Sequence, residues 1–191
     1  MTLPASYDLE IAGLRRSLPL FQVQPDLAIA VLNILGDTEL VEVSARRLAA
    51  RLADHDYAVL VTAEAKSIPL IHALSVHSGR PYVVLRKSYK SYMGDALQAQ
   101  TLSITTGAPQ MLYLDSKDRA LLRGNRVVLV DDVVSTGSTL TGMRALMNEA
   151  EARVVGVAAI CTEGDASQWH EVIALAHLPL FPTRKDGAIT P

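Results

Sequence analysis

The fold is decided by the stretch Val127-Val-Leu-Val-Asp-Asp-Val-Val-Ser-Thr-Gly-Ser-Thr139. Four aliphatic residues lead directly into Asp131 and Asp132, which is the pattern of a buried strand that ends in acid. A hydroxyl-rich turn, 135–139, follows, and a helical pattern begins at Leu140. A turn of this kind at a helix N-terminus predicts an anion-binding loop.

The acidic pair and the turn suit different parts of one ligand. Ionised carboxylates only accept hydrogen bonds, so the pair suits sugar hydroxyls or a metal ion. Hydroxyls and backbone amides at the positive end of a helix dipole suit a phosphate group. The stretch therefore predicts a site for a phosphorylated sugar. A core strand before a Ser/Thr-capped helix is the alternative, but it leaves two adjacent acids at the end of a buried strand without a ligand or partner.

The same thirteen positions resemble the phosphoribosyl-pyrophosphate (PRPP) binding motif of the type I phosphoribosyltransferases. In that motif, four aliphatic residues precede two acids, two apolar residues and a small loop that contains Thr and Gly. The resemblance implies that Asp131 and Asp132 are the catalytic residues and hold the ribose hydroxyls. It also implies a set of residues that bind the 5′-phosphate of PRPP: Ser135, Thr136, Gly137, Ser138 and Thr139.

Strand-like and helix-like segments alternate along the rest of the chain. The patterns predict helices over 38–53, 69–77 and 140–151, and strands over 57–61, 82–85, 126–130 and 153–160. Asp37 is the candidate cap of the first helix, and the second helix is expected to stop at Ser78-Gly79. Such alternation predicts an α/β fold with a central, mostly parallel sheet flanked by helices. Ligands of such sheets bind beyond the carboxyl ends of the strands. The resemblance implies a phosphoribosyltransferase-type fold, a single domain over 1–191 in which the irregular residues 1–36 form a small hood over the base.

The segment after the strand 57–61 resembles a pyrophosphate-binding loop. It reads Thr62-Ala-Glu-Ala-Lys-Ser67, and the adenine phosphoribosyltransferases usually carry Glu-Ala-Arg-Gly there. Lys66 replaces the Arg and can face pyrophosphate as a point charge, although without the bidentate fork. Ser67 replaces the Gly, which puts in doubt any backbone geometry that glycine alone allows. A helix start capped by Ser67 is the alternative, and both can hold because a helix N-terminus is itself an anion site.

A cationic segment, Arg86-Lys-Ser-Tyr-Lys90, follows the strand 82–85. The adenine and xanthine phosphoribosyltransferases often carry cations at this spacing, whereas a charge run taken alone is usually a solvated face. The resemblance implies a set of pyrophosphate-binding residues: Ala65, Lys66, Arg86, Lys87 and Lys90. The connection that continues to residue 110 is polar, and its apolar residues show no clear helical or strand periodicity, so we predict a flexible lid over 86–110. Its closure would keep water from the reactive ribosyl centre.

The resemblance implies a purine salvage reaction. A ring nitrogen of a purine base would displace pyrophosphate from C1 of PRPP and give a nucleoside 5′-monophosphate. C1 would carry cationic character in the transition state, which the charge of the acidic pair would favour. Mg²⁺ is the expected cofactor, bound mainly through PRPP, because it keeps several waters and takes few protein ligands. We therefore expect no metal site built from protein ligands alone.

The choice of base rests on fewer residues. The order of the motifs is most similar to the adenine and xanthine enzymes, and adenine is slightly favoured over xanthine or hypoxanthine. In the adenine enzymes the lid usually ends in Tyr-Gly with a Glu nearby, where this chain has Thr106 and Gln110. Gln cannot exchange a proton as a carboxylate can, which leaves a 6-oxopurine open. Glu163 is a second candidate near the base, with an ordinary surface carboxylate as the alternative.

The composition of the chain limits the kinds of partner that we expect it to bind. The chain has 191 residues, a net charge of −2 and scattered basic residues, so nucleic acid is not an expected partner. Neither a signal peptide nor a membrane-spanning stretch is predicted, and we expect a cytoplasmic protein, which the resemblance implies is a homodimer. A PRPP-binding regulatory protein of the same fold is the alternative function. A nucleotide triphosphatase would need a Gly-x-x-x-x-Gly-Lys-Ser/Thr loop, which the sequence lacks.

Overall fold

The structure, a computed structural model, describes residues 5–102 and 109–183. Its strands are β1 (Ser6–Ile11), β2 (Leu14–Gln24), β3 (Leu27–Ala30), β4 (Val59–Ala63), β5 (Tyr82–Leu85), β6 (Leu97–Leu102), β7 (Pro109–Leu114), β8 (Arg126–Val134), β9 (Arg153–Glu163), β10 (Val172–Leu178) and β11 (Leu180–Pro182). Its α-helices are α1 (Thr38–Arg51), α2 (Ile68–Ser78), α3 (Arg119–Leu122) and α4 (Ser138–Glu149). None of these helices is long and apolar enough to cross a membrane.

Five parallel strands form the central sheet in the order β10-β9-β8-β4-β5. The aliphatic run 127–130 of β8 is fully buried on both faces. Val128 and Val130 belong to one core cluster, with residues of α1 and α2, whereas Val127 and Leu129 belong to a second one, with residues of α4. A strand that is covered on both faces has a continuous run of apolar residues in its sequence. The predicted α/β fold with helices on both faces of a parallel sheet is confirmed.

The strand order reverses between β4 and β8. From β4 the chain continues outward to β5, and from β8 it continues to β9 and β10 on the other side. Loops that leave two such strands diverge and open a crevice at their carboxyl ends. The loop after β4 holds Ala65 and Lys66 of the predicted pyrophosphate-binding set, and β8 leads into the predicted 5′-phosphate loop, 135–139.

A small antiparallel sheet lies beside α1, in the order β1-β2-β3-β11. The sequence of residues 1–36 looks irregular and β11 has no local signal, because this sheet is completed only where Leu180 pairs with Ile29, far away in the chain. An ion pair from Arg16 of β2 to Asp37, at 2.7 Å, fastens this hood-like sheet to the start of α1. Asp37 also accepts the Leu40 N–H at 3.1 Å, as its predicted role as helix cap requires.

The predicted lid segment, 86–110, contains strand structure. Its β6, together with β7, forms an antiparallel hairpin in which Leu97 pairs with Leu114. Leu112 and Leu114 are buried in the second core cluster, against α4. Apolar residues at alternate positions explain why this part is a packed hairpin and not an irregular connection. The closing loop of the predicted lid, 103–108 with Thr106, lies outside the described residues.

Candidate active site

The acidic pair lies inside β8. The strand was predicted to end at Val130, but its ladder with β9 continues through Asp131 opposite Ala159 as far as Val134. Backbone pairing does not depend on the polarity of the side chains, so the apolar pattern ended before the strand did. Asp132 is 5% exposed, whereas Asp131 is half-buried and faces a cavity.

Ser67 connects the two carboxylates. Its Oγ lies 2.9 Å from Oδ1 of Asp131 and 3.1 Å from Oδ1 of Asp132, and it accepts the backbone N–H of Asp132 at 2.9 Å. Ser67 is 1% exposed. A hydroxyl has one proton to donate, so Ser67 can serve only one of the two carboxylates at a time. This buried hydroxyl therefore ties the loop after β4 to the acidic pair of β8.

Two sequence-based expectations about Ser67 are resolved by its geometry. Its φ of −80° is open to any residue, so the loop does not require the glycine of the family pattern. Ser67 is the N-cap residue of α2, as the alternative predicted, but its side chain makes no capping bond to the helix, because Oγ is already engaged by the acidic pair. The serine stands out in the sequence as a departure from the family pattern, but its partners do not, because they lie 64 and 65 positions away.

Lys66 supplies the positive charge at the acidic pair. Its Nζ lies 2.9 Å from Oδ2 of the buried Asp132, and its own side chain is half exposed. An exposed ammonium beside a buried carboxylate offsets part of the cost of removing that charge from water. The side chain therefore lies between the acidic pair and solvent, where it can meet an anionic ligand.

Desolvation shapes the ionisation of the carboxyl groups here. Removal from water, followed by the negative charge of Asp132, raises the pKa of Asp131 to about 7. Burial also raises the pKa of Glu163, at the end of β9, while the charge of Lys66 opposes this shift. Glu163 is the last residue of β9, so it lies at the same carboxyl edge of the sheet as the acidic pair. Glu163 is half-buried, so its carboxyl group is partly withdrawn from solvent.

The loop 135–139 forms one wall of a cavity of about 220 Å³ next to Asp131. The helix α4 begins at Ser138, two residues earlier than predicted, so the hydroxyl groups lie at its first turn. Gly137 adopts φ +74°, a left-handed conformation that favours glycine. All five residues predicted to hold the 5′-phosphate line this cavity, and so does Gln110 of β7.

The cationic segment after β5 is arranged differently. The guanidinium of Arg86 forms an ion pair with Glu64, and the same carboxylate accepts the backbone N–H of Lys87 at 2.6 Å. The hydrogen bond to Glu64 raises the pKa of Arg86. The side chains of Lys87 and Lys90 are exposed. Of the predicted pyrophosphate-binding cations, the structure thus places Lys66 at the acidic pair and holds Arg86 against the loop after β4.

The carboxylates do not form a metal cage by themselves. Within the described ranges, no group of three or more His, Cys, Asp or Glu side chains could hold a metal ion. Asp131 and Asp132 offer oxygen ligands, which Mg²⁺ prefers. A cation at this edge would therefore take its remaining ligands from water or from an anionic ligand.

This arrangement, a parallel sheet with a reversal beside an acidic strand end and an anion loop, is the phosphoribosyltransferase fold. The chain is similar to the adenine phosphoribosyltransferase of Giardia lamblia complexed with 9-deazaadenine, with a TM-score of 0.70 over 84% of this chain and 93% of that one. It is also similar to the adenine phosphoribosyltransferase of Thermoanaerobacter pseudethanolicus, with a TM-score of 0.64 over 91% and 95%. The identities are 17% and 18%.

The phosphoribosyl transferase domain family matches residues 32–174, and the chain belongs to this family. It is 37% identical to the hypoxanthine/guanine phosphoribosyltransferase of Methanosarcina acetivorans over 113 residues, which are 59% of this chain and 56% of that protein. It is 26% identical to the purine biosynthesis transcriptional repressor PurR of Bacillus subtilis over 71% of this chain and 47% of that protein. The chain spans about half of the length of these curated relatives.

Proposed function

We propose that this protein is an Mg²⁺-dependent phosphoribosyltransferase that transfers the 5-phosphoribosyl group of PRPP to a purine base in purine salvage. One observation carries the proposal: the anion loop 135–139 and Asp131 line the same cavity. A phosphate in the loop would bring the attached ribose towards the acidic pair. Proximity of this kind makes a difficult displacement feasible, because the reacting groups need not find each other in solution.

Each part of the site has a role in this reaction. Asp131 and Asp132 would accept hydrogen bonds from the ribose hydroxyls, and their charge would favour the cationic character that develops at C1. Lys66, which already faces Asp132, would meet the leaving pyrophosphate with Ala65 of the same loop. Arg86, Lys87 and Lys90 would join them when the segment 86–110 closes over PRPP. Glu163 would lie near the base.

Mg²⁺ fits the oxygen-rich donor set of this edge. It would be held by the oxygens of PRPP, next to the carboxylates of Asp131 and Asp132, and would neutralise charge on the leaving pyrophosphate. The raised pKa of Asp131 means that a nearby cation would shift this carboxyl towards its ionised form. We expect a cytoplasmic protein, and the family resemblance implies a homodimer.

For the base, the two kinds of relatives point in different directions. The order of the sequence motifs slightly favours adenine, and the two similar solved structures described above are adenine phosphoribosyltransferases, but at 17–18% identity they support the fold only. Three relatives at 31–37% identity are hypoxanthine/guanine enzymes. Gln110, which lines the cavity of the 5′-phosphate loop, stands where the family resemblance expects a Glu in the adenine enzymes. We therefore propose a 6-oxopurine, hypoxanthine or guanine, as the base to test first.

The test is pyrophosphate release from PRPP and Mg²⁺ with adenine, hypoxanthine, guanine, xanthine, uracil and orotate, each supplied separately. We expect release with a purine and none with uracil or orotate. Release with adenine alone would keep the enzyme and overturn the 6-oxopurine assignment. Release with a pyrimidine alone would overturn the purine assignment.

A PRPP-binding regulator is the second candidate, favoured by the similarity to the repressor PurR over 71% of this chain. Such a protein would bind PRPP through the same loop but turn it over slowly. Calorimetric binding of PRPP, together with no pyrophosphate release from any of the six bases, would support the regulator and overturn the enzyme.

A further inference from the structure

Trp169 contacts the 5′-phosphate loop from behind. It ends a short 3-10 turn, 166–169, between β9 and β10. A Cβ atom added at Gly137 would lie 2.9 Å from Cη2 of Trp169 and 3.4 Å from Cζ3, which is closer than side chains pack. The indole ring therefore lies against the backbone of the loop, at the residue where the loop adopts φ +74°.

The ring approaches from the side away from the acidic pair. Trp169 lines a second cavity, of about 260 Å³, with Arg144 of α4 and Val172 of β10. The first cavity, which holds Asp131, does not include these residues. Both cavities share Thr136, Gly137 and Leu140 as a wall. The loop thus separates the predicted phosphate position from the indole.

The indole is itself held in place. Its N–H donates to the backbone oxygen of Glu163 at 3.1 Å. The turn that carries it begins at Asp165, whose carboxylate accepts the backbone N–H of Ser167 at 3.0 Å and the hydroxyl of Ser167 at 2.7 Å. These bonds fix the ring relative to the end of β9 and, through the ring, relative to Gly137.

We propose that Trp169 is a positioning residue for PRPP: it holds the 5′-phosphate loop in the conformation that binds phosphate. The inference rests on the proposed function. Glycine loses more conformational freedom on ordering than any other residue, so a loop centred on Gly137 needs a support if its amides are to face the phosphate before binding. A support that is already in place lowers the ordering cost of binding.

This role predicts a particular kinetic signature. The 5′-phosphate is remote from C1, so its contacts are the same in bound PRPP and in the transition state. Losing such contacts raises KM and leaves kcat nearly unchanged. Trp169→Leu should raise KM and Kd for PRPP by about tenfold and change kcat by less than about threefold. Trp169→Phe, which keeps an aromatic ring on Gly137, should stay within about threefold of wild type for both constants.

The chain supplies its own optical probe, because Trp169 is its only tryptophan. Saturation with PRPP or ribose 5-phosphate should change the emission of the wild-type protein with the same Kd as calorimetry gives. Inorganic pyrophosphate, which lacks the group that fills the loop, should not change it. His170→Ala, an exposed neighbour, is the matched control and should reproduce the wild-type constants.

The test compares these variants by calorimetry, steady-state kinetics and thermal melting, and follows tryptophan emission in the wild-type protein and in His170→Ala. A selective rise in KM for PRPP in Trp169→Leu, with the melting temperature kept, supports the role. Wild-type constants in Trp169→Leu, or emission unchanged while calorimetry shows PRPP binding, would overturn it and leave the proposed function intact. An equal loss of kcat in both Trp169 variants would also overturn it. No binding of PRPP by the wild-type protein would overturn both.

Discussion

The carboxyl end of β8 and the cationic segment 86–90 were predicted to hold two ends of the same ligand, yet the structure builds them differently. At β8, Ser67 and Lys66 bind the acidic pair within 3.1 Å, and Asp131 opens onto the loop 135–139. In the cationic segment, Arg86 is paired with Glu64, and the two lysines are exposed. The half of the site at β8 is formed before the ligand binds, whereas the lysine side chains of the other half remain in water.

This difference has an energetic meaning. Groups fixed before binding lose little entropy when the ligand arrives, while exposed lysines must be ordered at that moment and gain less. We expect the ribose 5-phosphate half of PRPP to depend on a few residues with large effects. Apart from Lys66, which the acidic pair already holds, the pyrophosphate half should depend on several residues with small effects.

The largest effect is expected from the acidic pair. Asp131→Asn combined with Asp132→Asn keeps the size of both side chains and removes the charge that would favour the cationic transition state. We predict a loss of kcat of about 10³-fold or more, measured as pyrophosphate release. The far-UV circular dichroism spectrum should match that of wild type. Near-native turnover in the double variant would show that the pair has no catalytic role.

The second largest effect on activity is expected from Lys66. Lys66→Ala removes the partner of the buried Asp132 and the nearest cation for pyrophosphate, so we predict that kcat/KM for PRPP falls by about 10- to 100-fold. Lys66→Arg keeps the charge and serves as the matched control, with a loss of less than about fivefold. Equal losses in the two variants would show that the charge of Lys66 is not what matters.

The effect of replacing Ser67 on kcat/KM should depend on pH. Its hydrogen bond lowers the pKa of Asp131, against the larger rise from desolvation. Ser67→Ala should therefore raise this pKa further and move the acidic limb of kcat/KM to higher pH, because the ionised pair is the active form. At pH 7 we expect a loss of about tenfold that shrinks as pH rises. Ser75→Ala, elsewhere on α2, is the control, and a pH profile of Ser67→Ala parallel to that of wild type would contradict the prediction.

The smallest effects belong to the exposed lysines. Lys87→Ala and Lys90→Ala should each raise KM for PRPP by about two- to fivefold at low salt and by less at 0.5 M salt, since exposed charges are screened. Lys117→Ala, an exposed lysine paired with Asp118, is the control. If either variant approached the effect of Lys66→Ala, the contrast between the two halves would fail.

What could be predicted from the sequence was what the chain encodes locally. The run 127–130 gave the central strand, Asp37 gave a helix start, and Gly79 ended α2 as expected. These signals lie within a few residues of the structure that they specify. Sequence analysis placed Asp131 and the loop 135–139 in one stretch, and the structure brings them to one cavity.

What could not be predicted depends on contacts between distant residues. The hood-like sheet requires β11 to return to β3. The roles of Ser67 and Glu64 depend on partners in other strands and loops, and Trp169 meets Gly137 only once β10 is in place beside β9. The role of such a hydroxyl or indole group cannot be predicted from its neighbours in the sequence, because it depends on the distant residues that the fold places beside it.

The most direct test is a calorimetric titration of the wild-type protein with PRPP, ribose 5-phosphate and inorganic pyrophosphate, each with Mg²⁺. We predict one site per chain for PRPP. We also predict that ribose 5-phosphate, which fills the half formed by β8 and its loop, binds at least about tenfold more tightly than pyrophosphate. Pyrophosphate that binds as tightly as PRPP, while ribose 5-phosphate does not bind, would contradict a site formed in advance around the acidic pair.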